Sequence, residues 1–76
     1  MDIDTFIAHF AEQFDDTAPS EITAGTAFHD LEEYSSLIAL SLIAMIDEEY
    51  DITLRGDDLR NAVTVEDLFN TVKSKA

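Results

Sequence analysis

A chain of 76 residues with four basic and 17 acidic side chains carries a formal net charge of -13 at pH 7. It has nothing with which to neutralise a phosphate backbone or hold an anionic bilayer, so nucleic acid and membrane insertion are excluded as modes of action. At this size folding hides only about 60% of the unfolded chain's surface. With no cysteine, neither a disulfide nor a thiolate metal site can brace the fold.

Stability must therefore come from apolar packing, and the 46% hydrophobic content is that of a globular domain rather than a disordered acidic tail. One domain over residues 1–76 is expected, as a monomer whose partners carry basic patches and are met by salt-sensitive steering. The opening Met1-Asp2-Ile3-Asp4 is acidic where a signal peptide is basic. The longest apolar run, residues 37–46, is too short to span a bilayer. A soluble, cytoplasmic protein is expected.

Residues 2–14 read as a first helix. Ile3, Phe6, Ile7, Phe10 and Phe14 recur at the spacing of one helical face, and Asp2 or Asp4 is placed to cap it. Residues 15–34, punctuated by Pro19 and Gly25, read as a long, ordered, irregular loop pinned by Ile22, Phe28 and Leu31, with room for one helical turn. A second helix is predicted over about residues 36–50. Ile38, Leu42, Ile43, Met45, Ile46 and Tyr50 fall on one broad side of it. Leu37, Leu40, Ser41, Ala44, Asp47 and Glu48 fall on the other, a second apolar stripe ending in carboxylates. A chain this short has too little other material to cover that stripe, which marks it as a partner surface.

Residues 51–54 alternate as extended chain. Gly56 breaks them, and residues 57–62 suit a short helix with Leu59 facing in. Thr64 opens the last helix with Asp67 three residues on as an approximate capping box, and Val65, Leu68, Phe69 and Val72 form its inner face. Lys73 and Lys75 lie near its C-terminus, where the helix dipole favours cations. The expected architecture is all-α: a small bundle of three long helices and one short helix with a long first loop.

Catalytic and metal chemistry find little support. His9 falls on the outer side of the first helix and His29 in the loop. A Ser36-His29-Asp30 set lacks both a strained nucleophile turn and a cleft for an oxyanion hole, which makes His29 a satisfied surface histidine. Residues 51–62 have a glycine at the sixth place, as an EF-hand loop does, but Thr53, Arg55 and Ala62 stand where oxygen ligands are needed. Glu48, Glu49, Asp51, Asp57 and Asp58 could at most hold a divalent cation loosely, and a solvated acidic surface is the simpler reading. Neither an enzyme nor a metal protein is expected.

What remains is Tyr34-Ser35-Ser36-Leu37, where the loop meets the apolar helix. The first N–H groups of a helix lack internal partners and lie at the positive end of its dipole. A serine there is either a plain cap or the holder of a covalent phosphate.

The segment Asp30-Leu31-Glu32-Glu33-Tyr34-Ser35-Ser36-Leu37 resembles the signature of the acyl carrier protein family, in which a loop leucine precedes Asp-Ser-Leu. Met45-Ile46-Asp47-Glu48-Glu49-Tyr50-Asp51-Ile52 is similar to the family's acidic end of helix two, and Val63-Thr64-Val65-Glu66-Asp67-Leu68 to the start of its last helix. The resemblance covers nearly the whole chain. It departs at Ser35, where the family has the aspartate that helps a phosphopantetheinyl transferase recognise its target. Ser36 is favoured over Ser35 by register, since it directly precedes Leu37.

The resemblance implies a carrier bearing 4′-phosphopantetheine from coenzyme A on Ser36, holding acyl groups as thioesters for enzymes of fatty-acid, polyketide or related synthesis. Its implied partners are a phosphopantetheinyl transferase and acyl-loading and acyl-processing enzymes. Leu37, Leu40, Ser41, Ala44, Asp47 and Glu48 would meet these partners, and Leu42, Ile46, Leu54, Leu59 and Leu68 would line a shelter for the acyl chain. Two alternatives stay open: an unmodified acidic interaction module of the same fold, and a carrier of aminoacyl cargo.

Overall fold

The computed structural model covers residues 1–76 and contains four α-helices and no strand. They are α1 (Ile3–Ala11), α2 (Ser36–Tyr50), α3 (Gly56–Asn61) and α4 (Val65–Lys75). The bundle expected from the apolar spacing is present, with the bounds of α1 and α3 moved. Helix α1 stops at Ala11, short of residue 14, because the chain tightens into a turn in which Gln13 N–H donates to Phe10 O and Phe14 N–H to Ala11 O. Phe14 is still buried, since a tightened turn keeps its side chain on the inner face. Helix α3 begins one residue early, at Gly56, and ends at Asn61.

Each start has a local cause. The Asp2 carboxylate accepts from Thr5 N–H at 3.0 Å and caps α1. Thr64 and Asp67 form the reciprocal box of α4: Asp67 N–H donates to Thr64 Oγ1 at 3.1 Å, and Thr64 N–H to Asp67 Oδ2 at 3.0 Å. Helix α2 ends at Asp51, which adopts φ 55° in the left-handed region, a conformation that aspartate tolerates better than most side chains.

The core is one cluster of 18 buried residues, all hydrophobic. Phe6 and Phe10 from α1, Phe28 from the loop, Leu42 and Ile46 from α2, and Val65, Leu68 and Val72 from α4 are fully buried. Phe6 meets Phe69 edge to face with ring centroids 5.4 Å apart, and Phe10 meets Phe28 likewise at 5.5 Å. The alternation of residues 51–54 is realised as Ile52 and Leu54 in, Asp51 and Thr53 out.

The long loop is ordered by the helices around it. It carries two short 3₁₀ turns, Pro19–Glu21 and Phe28–Asp30. Ile22 and Phe28 anchor it in the core, with Leu31 half-buried against them. Its carbonyls serve α4: Val65 N–H donates to Thr26 O at 3.1 Å and Glu66 N–H to Ala24 O at 2.9 Å. The free N–H groups of one helix thus satisfy the loop that precedes another, as buried backbone requires. No helix is long and apolar enough to cross a membrane.

Candidate functional site

Helix α2 begins where the loop has been fixed on both sides. Glu33 reaches back to the start of the loop and accepts from the N–H groups of Asp15 at 2.6 Å, Asp16 at 2.9 Å and Thr17 at 2.9 Å, and from Thr17 Oγ1 at 2.9 Å. Desolvation pushes its carboxyl up, but these hydrogen bonds together hold it below the ordinary glutamate value. Tyr34 packs edge to face on Phe28 and His29. Loss of solvent around the Tyr34 hydroxyl raises its pKa.

The two serines then separate in role. Ser35 is the N-cap: its backbone is extended, and its Oγ accepts from Ile38 N–H at 3.4 Å, a long bond. Ser36 is the first helical residue, exposed, and its hydroxyl makes no hydrogen bond to the protein. The N–H groups of Ser36 and Leu37 likewise have no protein partner.

The charge around this helix start is unusual for so acidic a chain. The first turns of α1, α3 and α4 all contain carboxylates, whereas α2 has none in its first turn and an uncharged cap. The dipole's positive end is therefore left open to an anion. The same contrast appears in the grooves. Of four surface grooves, three are bordered by Asp or Glu and by no Lys or Arg. The fourth, of about 410 Å³, runs from Ser36 past Tyr34, Leu40 and Ile43 to His29 and Arg60, and has no carboxylate on its wall.

On the outer side of α2, Leu37 is 72% and Leu40 62% exposed, and Ala44, Asp47 and Glu48 are exposed beside a half-buried Ser41. Leaving a leucine in water forgoes about 1.5–3 kcal/mol of burial, so two on one stripe are a substantial concession by a thin-cored protein. Leu42, Ile46, Leu54, Leu59 and Leu68 all belong to the packed core. Of these, Leu59 alone also borders the Ser36 groove.

His9 holds a position that spacing did not reveal, while His29 is the satisfied surface histidine expected in the loop. His9, expected on the outer side, is half-buried between α1 and α2. Its Nδ1 lies 3.1 Å from the Tyr50 hydroxyl and its Nε2 3.7 Å from a Glu49 oxygen. His29 stacks on Phe28. Its Nε2 sits 2.8 Å from Leu59 O and 3.0 Å from Ala62 O, so that nitrogen carries the proton and ties the loop to the end of α3. Neither histidine is hydrogen-bonded to Ser36: their ring nitrogens engage Tyr50, Leu59 O and Ala62 O instead. No three His, Asp or Glu side chains converge to hold a metal ion.

A four-helix bundle that presents an unengaged serine at an anion-ready helix start has the form of a small carrier domain. The family described as a phosphopantetheine attachment site matches residues 4–72, and the chain belongs to that family. Its members hold covalently attached 4′-phosphopantetheine and act as carriers rather than enzymes. No curated protein matches the chain, and no solved structure does.

The residues present fit the arm. A free hydroxyl, two unpaired N–H groups and a groove without carboxylates suit a phosphodiester.

Proposed function

We propose that Ser36 is the attachment point and that the chain carries acyl groups between enzymes of fatty-acid, polyketide or related synthesis. The observation that supports this best is the division of labour at the start of α2. Ser35 caps the helix, which leaves Ser36 with a free, exposed hydroxyl. On loading, Ser36 Oγ attacks the phosphorus of coenzyme A that bears the pantetheine. The bridging P–O bond breaks, adenosine bisphosphate leaves, and the hydroxyl proton passes to the transferase. The arm supplies a terminal thiol that holds cargo as a thioester.

The rest falls to this chain's own residues. Tethering raises the concentration of cargo at each partner enzyme. Leu37, Leu40 and Ala44 offer a small apolar contact beside Ser41, while Asp47 and Glu48 steer basic partners toward fast encounter and release. Leu42, Ile46, Leu54, Leu59 and Leu68 shelter an apolar chain when the helices part, because at rest they fill the core themselves. The work is done by a monomer of one domain in the cytoplasm.

Incubation with a promiscuous transferase and coenzyme A, followed by intact mass and peptide mapping, tests the reading. One added phosphopantetheine on Ser36, lost in Ser36→Ala with the fold retained and substantially kept in Ser35→Ala, is the expected result. An arm mapped to Ser35 would overturn the assignment. Persistent absence of loading would favour the unmodified interaction module.

A further inference from the structure

We infer that Arg60 is a binding residue for the arm, exchanging its present partner Asp57 for the arm's phosphate, and that the Ser36 groove is where the arm rests. The inference builds on the reading of Ser36 as the attachment point.

The first ground is the distribution of charge. With 17 acidic residues in 76, a groove free of carboxylates is an exception, and three of the four grooves do not achieve it. Only the groove beginning at Ser36 has no Asp or Glu on its wall, and only that groove has an arginine. A phosphodiester on Ser36 would meet repulsion along any of the acidic walls. Here it meets a guanidinium.

The second ground is how weakly Arg60 is held where it is. Its ion pair with Asp57 is one helical turn long, and the two side chains are 71% and 73% exposed. Exposed pairs of this kind contribute little. The guanidinium lies over Gly56, where an added Cβ would stand 3.4 Å from Nη1. Gly56 beneath it is itself exposed. The other paired cation, Lys75, sits on α4 against Asp58, and Lys73 lies over the Phe69 ring. Arg55 borders none of the grooves. Arg60 is therefore the cation free to turn toward Ser36. Its planar fork suits phosphate oxygens better than a lysine would.

The third ground is the remainder of the groove. Leu40 and Ile43 give it an apolar wall, and the His29 and Tyr34 rings close the other side. Its volume of about 410 Å³ is at the small end of ligand sites. That accommodates part of an amphipathic arm and leaves the thiol end outside, available to partners.

The test compares ¹⁵N-labelled chain before and after loading, with intact mass confirming one arm per molecule. In the wild type the Arg60 Nε–H resonance should move on loading. The ³¹P resonance of the loaded arm should differ between wild type and Arg60→Gln. Nuclear Overhauser contacts from the arm's methyl groups to Leu40 and Ile43 should weaken in Arg60→Gln and strengthen in Asp57→Asn, which removes the competing carboxylate. Unchanged backbone spectra of the unloaded variants would show that the fold is intact. A loaded chain whose Arg60 Nε–H does not move, and whose ³¹P signal is the same in the Arg60→Gln variant as in the wild type, would overturn this inference alone. A chain that gains no mass would overturn the Ser36 reading and this inference with it.

Discussion

Thr17 donates twice to a single oxygen of Glu33: its N–H and its Oγ1 each lie 2.9 Å from Oε1, while Asp15 N–H reaches the other oxygen at 2.6 Å. Glu33 stands three residues before Ser36, so this contact closes the long loop on the segment that presents the serine. Glu33→Gln keeps the shape but sets an amide –NH₂ against backbone donors on one side or the other. We expect amide hydrogen exchange at Asp15, Asp16 and Thr17 to accelerate markedly, while exchange in the middle of α2 stays as it was. Equal protection at those three amides in the variant would show that the loop is held by Ile22 and Phe28 alone.

The Ser35 cap leads to a second expectation. Ser35→Asp retains a good N-cap and sets a carboxylate at the positive end of α2, where no acidic residue stands in the first turn. The dipole interaction is worth about 0.3–1 kcal/mol. Tm should rise, and loading by a transferase that reads an aspartate before the serine should be faster. Equal or slower loading would mean that Ser35 is adapted to a different transferase.

Much of the fold was legible because its causes are local. The second helix was bounded correctly at both ends from its apolar run and polar flanks, and the box at Thr64 and Asp67 from residue types three apart. Phe14 shows where periodicity misleads. A residue that keeps its inward direction through a tightened turn cannot be told, by spacing, from one more helical turn. The partners of His29 and the place of Arg60 were not legible for another reason. The bond from His29 to Leu59 O and Ala62 O, and the presence of Arg60 on the same groove as Ser36, depend on how the loop and α3 pack. No local pattern encodes that. The stripe of Leu37, Leu40 and Ala44 was read from composition and is exposed as read.

Stability should fall off at both ends of the pH scale. Hydrogen bonds to Asp2 from Thr5 and to Asp67 from Thr64 and Val63 hold both carboxyls below their ordinary 3.8. Glu33 lies below its ordinary 4.5 despite its desolvation. Groups depressed on folding contribute stability that is complete above the unfolded value and is lost as pH falls through the folded one. The acid edge therefore begins below about pH 4.5. Tyr34 is raised above 10.0 by burial, and Tyr50 by burial and then by Glu49 and Asp2. Their contribution is complete below pH 10 and lost above it. Tm should therefore hold between these two edges and fall on either side of them. A Tm that climbs steadily down to pH 3 would show that repulsion outweighs these hydrogen bonds.

Asp51 offers a stabilising substitution. Its left-handed φ of 55° imposes a strain of about 1–2 kcal/mol on an ordinary L-residue, less on aspartate. Asp51→Gly relieves it and removes an anion from the negative end of the α2 dipole. The opposing term is the greater freedom of glycine in the unfolded chain, about 0.4–1 kcal/mol. The two gains together exceed that loss, so urea or thermal unfolding should show a modest stabilisation of under about 1 kcal/mol. A destabilised variant would mean that the aspartate side chain supports the turn.

The acidic surface itself should be destabilising, and salt should reveal it. Against 17 carboxylates, the cation pairs are Arg60 with Asp57 and Lys75 with Asp58. The first is exposed and contributes little, and the second is long at 3.7 Å. Asp47, Glu48, Glu49 and Asp51 follow one another at the end of α2 with no Lys or Arg paired to them. Unfolding spreads these charges apart, so repulsion favours the unfolded chain. Sodium chloride shortens the Debye length to about 8–10 Å near physiological ionic strength, and further above it. Tm should rise steadily as salt is added, since each kcal/mol recovered lifts Tm by about 4–8 °C in a domain of this size. The same salt should slow association with a basic partner, because screening shortens the reach of the field from Asp47 and Glu48. Neutralising Asp47 and Glu48 together by Asp47→Asn and Glu48→Gln should raise Tm and blunt the salt dependence of association. If Tm did not respond to salt in either protein, the acidic end of α2 would impose no strain on the fold, and recognition would be its whole role.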